Sequence, residues 1–134
     1  MEPFNEAEKI VLISVGEANP LARDIIYQCI NSNCVISRDY TKVGMYVNVE
    51  FIGSNNEFES NLDDWYSSPG TLIKTEKTKY GIGFVVRIIG GKISFIEFYL
   101  NDCVEDSWDG KLDKYLFGAP ELMGIKMAAL SDPL

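Results

Sequence analysis

The chain has 134 residues, 46% of them hydrophobic and 24% charged, with 20 acidic against 12 basic side chains and no histidine, for a net charge of −8. This length suits one domain, residues 1–134, able to build its own core, and the composition excludes a disordered, collagenous or low-complexity chain. Without histidine no Ser-His-Asp or Cys-His catalytic set can form. Cys29, Cys34 and Cys103 are scattered and make a poor zinc set, so they read as small apolar residues in a reducing compartment. No metal or cofactor is expected. Lys and Arg are too dispersed to neutralise a nucleic-acid backbone, and Lys74–Lys79 reads as the polar end of a hairpin. The N-terminus is acidic where a secretory signal needs positive charge, and no stretch approaches the ~20 apolar residues of a membrane span. These features predict a cytoplasmic protein without membrane contact.

Asn5 followed by Glu8 has the spacing of a capping box, which predicts a helix over 6–15. The β-branched Ile10, Val11, Ile13 and Val15 make a strand the competing reading, and the helix is preferred. Asn19-Pro20 reads as an N-cap with Pro at the first helical position. Leu21–Ile30 then places Leu21, Ile25 and Cys29 on one stripe with Ile26 and Ile30 beside it, an amphipathic helix. Beyond Asn33 the period changes to two. Cys34–Arg38 reads as a short strand and Asp39–Lys42 as a turn. In Gly44–Ile52, Met45, Val47, Val49 and Phe51 face a core and alternate with a mostly polar side. Gly53–Gly70 is a long polar connection, and Thr71–Glu76 reads as the next strand.

Ile82–Leu100 is the strongest local signal, a hairpin about Gly90-Gly91 with the positive φ angles of a type I′ turn. A two-residue turn sets Ile88 opposite Ile93, Val86 opposite Phe95 and Phe84 opposite Glu97. Both hairpin faces are then largely apolar, as expected of central strands covered at least in part on both sides. Asn101–Asp113 is acidic, and Pro120 with Glu121–Leu130 predicts a C-terminal helix weakened by Gly124.

Glu97 is the ionisable residue of an otherwise apolar strand. It reads either as a functional carboxylate in a pocket or, the preferred account, as a partly exposed or paired structural one. The acidic run from Asp102 fails as a calcium loop, because Leu116 falls where the bidentate Glu belongs once Gly110 is aligned. Gly81-x-Gly83 lies inside a strand and lacks the context of a phosphate loop. Two segments combine carboxylates with an indole: Glu57, Glu59, Asp63 and Asp64 with Trp65, and Asp102, Glu105, Asp106 and Asp109 with Trp108. Charge steers association and aromatics anchor it, so these residues are the candidate partner-binding set. The alternative is that they are solvated loops whose indoles tuck into the core.

The stretch Ser37-Arg38-Asp39-Tyr40-Thr41-Lys42-Val43-Gly44-Met45-Tyr46-Val47, with Gly90-Gly91-Lys92-Ile93-Ser94-Phe95-Ile96-Glu97 downstream, resembles a family of small uncharacterised bacterial α+β domains. Lys42 stands where that pattern has a glycine and Ile96 where it has a leucine. The resemblance implies that Arg38, Thr41, Gly44 and Glu97 are family positions. It adds by class an expectation of an immunity protein from a toxin–immunity system. An Arg38–Glu97 pair would account for the lone carboxylate.

The expected architecture is α+β: N-terminal helices packed on an antiparallel sheet of about five strands, with a C-terminal helix. The leading function is an acidic binding protein, an immunity protein that inhibits a basic bacterial toxin domain. The alternative is a small-molecule-binding domain or enzyme with a pocket near Arg38, Glu97 and Tyr99. A third is a homo-oligomer that buries the second apolar face of the hairpin.

Overall fold

Asn5 starts the first helix as its spacing with Glu8 predicts. In the computed structural model, which describes residues 4–41, 43–52, 62–74, 80–101 and 126–129, Glu8 N donates to Asn5 Oδ1 at 2.9 Å and Asn5 N donates to Glu8 Oε1 at 3.0 Å. These bonds satisfy backbone donors that a helix start leaves open. The helix, α1, runs Glu6–Ala18 and buries Ala7, Val11, Leu12 and Val15 along one stripe. That spacing outweighs the β-branched content, because packing of an apolar face decides more than intrinsic propensity.

α2 spans Pro20–Ile30 with Pro20 at its start. Asn19 holds the N-cap position but makes no side-chain cap bond. Its amide instead donates to Val15 O at 2.8 Å and to Ser67 O at 2.5 Å, tying the helix junction to the sheet. The buried stripe of α2 is Ala22, Ile25, Ile26 and Cys29. Leu21, expected on it, is 82% exposed. At 3.6 residues per turn it lies about 90° from the stripe's centre.

The strands are β1 (Cys34–Tyr40), β2 (Gly44–Phe51), β3 (Asp64–Tyr66), β4 (Thr71–Lys74), β5 (Ile82–Ile89), β6 (Lys92–Leu100) and β7 (Lys126–Ala129). They form one sheet in the order β1-β2-β6-β5-β4-β7, with β3 also paired to β5. Every pairing is antiparallel. The α+β class holds. β3 lies inside the stretch expected to be a plain connection, where three residues are too few to show a period. Residues 126–129 are strand β7 against β4, not part of a C-terminal helix. Cross-strand pairing overrides the helix formers there. The rest of the expected 121–130 helix lies outside the described residues.

The hairpin turn is as expected: Gly90 has φ 58° and Gly91 φ 75°, and Ile89 pairs Lys92 and Ile88 pairs Ile93. The expected register then breaks. Arg87 pairs Phe95, so Ser94 is an extra residue in a β-bulge, and Val86, Val85 and Phe84 pair Ile96, Glu97 and Phe98. One inserted residue turns the remainder of β6 over. Ile96 and Phe98 join Ile82, Phe84, Val86 and Ile88 in the core, whereas Phe95, Glu97 and Tyr99 turn to the opposite face.

Both helices pack on the core face, where Val11, Leu12, Val15, Ile26 and Cys29 meet Met45, Val47 and the inward side chains of β5 and β6. Ser14 Oγ donates to Ser68 Oγ at 2.9 Å and fastens α1 to the β3–β4 connection. Among the described residues no helix lies over the other face, so the expected cover on both sides is found on one. No described helix is long and apolar enough to cross a membrane.

Candidate functional site

The open face is built from cross-strand rows. One row runs Ser37, Asn48, Phe95, Arg87, Trp65 across β1, β2, β6, β5 and β3. The next runs Asp39, Tyr46, Glu97, Val85, and the third Gly44, Tyr99, Gly83. Residues opposed in this way share a face, and their side chains meet.

The first row is held by aromatic and ionic contacts. The Trp65 and Phe95 rings meet edge-on at 5.4 Å, and Phe95 meets Tyr46 edge-on at 5.3 Å. Such pairs contribute about 0.5–1.5 kcal/mol each beyond their buried area. The Arg87 guanidinium carbon lies 5.3 Å from the Trp65 ring centroid, and its Nη2 is 2.7 Å from Asp63 Oδ1. The indole is thus oriented from two sides yet remains 51% exposed. In the second row Tyr46 OH donates to Glu97 Oε2 at 3.2 Å, and Asn48 Nδ2 donates to Asp39 Oδ2 at 2.7 Å. The Glu97 carboxylate, burial and this hydrogen bond push the Tyr46 phenol above its ordinary range. In the third row the Tyr99 ring lies over Gly83, where a Cβ would overlap it.

The predicted partner-binding residues divide. Asp63 is committed to Arg87, and Asp64 Oδ1 accepts from Trp65 N at 2.8 Å while staying exposed at the sheet edge. Trp65 is the exposed indole, not a core residue. Glu57, Glu59, Asp102, Glu105, Asp106, Trp108 and Asp109 lie outside the described residues.

The expected Arg38–Glu97 pair does not form, because strand alternation sends the two side chains to opposite faces. Arg38 turns to the helices, where its Nε donates to Glu8 Oε2 at 2.8 Å and its Nη2 to Glu8 Oε1 at 2.7 Å. Glu8 is fully buried and serves the helix cap and the ion pair at once. Of the other positions that the resemblance singled out, Thr41 N donates to Gly44 O at 2.9 Å, and a Cβ on Gly44 would overlap the Phe98 carbonyl oxygen. The bond closes the connection from β1 to β2, and the close approach at Gly44 is where β2 lies against β6. Tyr99, expected beside a pocket, stands on the open face at 39% exposure.

Sequence reading missed Tyr46, Arg87, Phe95 and Asn48. Tyr46 and Asn48 carried a signal, as polar-side residues of an alternating strand, while the bulge concealed Phe95. Burial pushes the Cys29 thiol up to about 11 and raises Cys34 as well, the opposite of what activates a nucleophile. Among the described residues no cluster of carboxylate or thiol groups is arranged to hold a metal ion.

No family model, curated protein or solved structure matches this chain.

Proposed function

We propose that the chain is a binding protein whose open sheet face receives a basic protein partner. The observation that carries this reading is Trp65, half-exposed and fixed by Arg87, on a face where alternation also sets Asp39, Glu50 and Glu97. Arg87, and Lys92 opposite Ile89, are among the cations that register sets there, with Lys74 and Lys126 opposed at the far side of the sheet, and Arg87 is neutralised by Asp63. An oriented, exposed indole on a face that also carries carboxylates supplies an anchor and a steering field for a cationic surface. The chain's net charge of −8 extends that field beyond the site.

The biological form of this reading is an immunity protein that masks a cationic toxin domain. In that case a gene for a large modular toxin should lie next to this one. Co-expressing the chain with that toxin's C-terminal domain should protect the host. Trp65→Ala and the Asp63→Lys/Asp64→Lys double variant should lose protection and weaken the complex, the loss on charge reversal growing at low salt. Unchanged association in both variants would defeat the proposal.

A further inference from the structure

Glu97 is the centre of the open face and is chemically unfinished. Among the described residues it accepts from Tyr46 and has no cationic partner; Arg87, diagonally across from it, is taken by Asp63. Rings surround it: Tyr46 directly across on β2, with Phe95 and Tyr99 two residues to either side on β6. Residues two apart on a strand share a face about 7 Å from each other, so the three rings and the carboxylate form one patch of that face. Asp39 continues the same row beyond Tyr46.

We infer that this carboxylate, flanked by three rings, seats one cationic side chain, arginine or lysine, of the protein partner. The inference rests on the basic-partner reading above and names its point of contact. The argument is one of complementarity. A guanidinium or ammonium group gains from a ring face and from an anion together, and rings that exclude water strengthen both attractions. Glu8 shows how this fold treats a structural carboxylate, burying it and clasping it with Arg38 through both oxygens. Glu97 has the opposite treatment, half-buried on an open face with its charge unmatched. The Tyr46 hydroxyl holds one oxygen and leaves the other to an incoming donor.

The test is a titration of the isotope-labelled full chain at low salt with a hexa-arginine peptide blocked at both ends. Amide shifts should centre on Tyr46, Phe95, Glu97 and Tyr99. Glu97→Gln keeps the shape and removes the charge, and should weaken binding about fivefold, the loss of one partly exposed ion pair. Tyr99→Leu should weaken it by a smaller factor, and Asp24→Asn, which neutralises an exposed carboxylate on α2 behind the sheet, should leave it within about twofold. If Glu97→Gln binds like wild type while Asp63→Lys/Asp64→Lys does not, the seat is overturned and the wider acidic reading stands. If neither variant changes binding, or the peptide fails to bind, the seat falls. Unaltered association with the toxin domain on charge reversal would remove the wider reading separately.

Discussion

Each face of the sheet meets a carboxylate, and the two are treated differently. On the helix face Glu8 is withdrawn from water and matched by the Arg38 fork, with the Asn5 amide completing its bonds. On the open face Glu97 accepts from a phenol and is ringed by aromatics, with its charge uncompensated among the described residues. Burying a charge is expensive unless it is paired, so the first arrangement is what a stable core requires. The second is tolerated because water still reaches it, and a partner could replace that water. The matched ion pair holds α1 to β1, and the binding-protein proposal assigns the open face to association.

The largest expected effect follows from breaking the matched pair. Arg38→Met should leave Glu8 buried without its partner. Breaking a buried pair costs about 3–5 kcal/mol, and because the Arg38 side chain is 29% exposed the loss should fall near the lower end. Urea unfolding would read it. Adding Glu8→Met should recover most of the loss, short of about 1 kcal/mol for the missing cap. The change Glu97→Gln on the open face should leave the same unfolding curve nearly in place. If Arg38→Met and Glu97→Gln lowered stability equally, the contrast between the faces would be false.

Titration sharpens the same contrast. The Cys29 thiol is raised to about 11 chiefly by burial, whereas the Tyr46 phenol is raised chiefly by Glu97. An unfolded thiol ionises near 9 and the folded one near 11, so below pH 9 the thiol does not make stability depend on pH. Between those values unfolding releases a proton, and stability falls as pH rises, by about 3 kcal/mol at most for Cys29. Urea midpoints at rising alkaline pH should decline less steeply in Cys29→Ala. Glu97→Gln should not alter the Cys29 titration, but should bring the Tyr46 phenol down toward its ordinary range.

Much of the helix layer was legible because its signals are local. The Asn5–Glu8 spacing, Pro20 and the i, i+4 stripe in α2 act within a turn or two, and each sits where its chemistry predicts. The Gly90-Gly91 turn was legible for the same reason. The open face was not, because it depends on one inserted residue. Ser94 carries no mark of a bulge, and with apolar residues on both sides of the hairpin either register satisfied the pattern. That slip hid the meeting of Phe95, Tyr46 and Trp65 across strands far apart in sequence. The Arg38–Glu97 expectation failed on alternation: Arg38 lies on β1 opposite Val47, a core residue, and so faces the helices. Nothing in the local sequence announces that its partner is Glu8, thirty residues away.

Trp65 is where stability and association should separate most cleanly. Its ring is 51% exposed, touches Phe95 by an edge and lies under Arg87 at the rim of the sheet. An edge-to-face contact and an exposed cation–ring contact together support the fold by about 1–2 kcal/mol, so Trp65→Ala should move the urea midpoint only modestly. Binding should respond more strongly, because a large aromatic central to an interface commonly contributes about 2 kcal/mol or more, some thirtyfold in affinity. Measuring both quantities on one preparation, against the proposed toxin-domain partner, sets the two faces apart. A loss of affinity that exceeds the loss of stability places Trp65 in the interface. A large stability loss with affinity unchanged would assign the indole to the fold, and the open face would then lose its anchor.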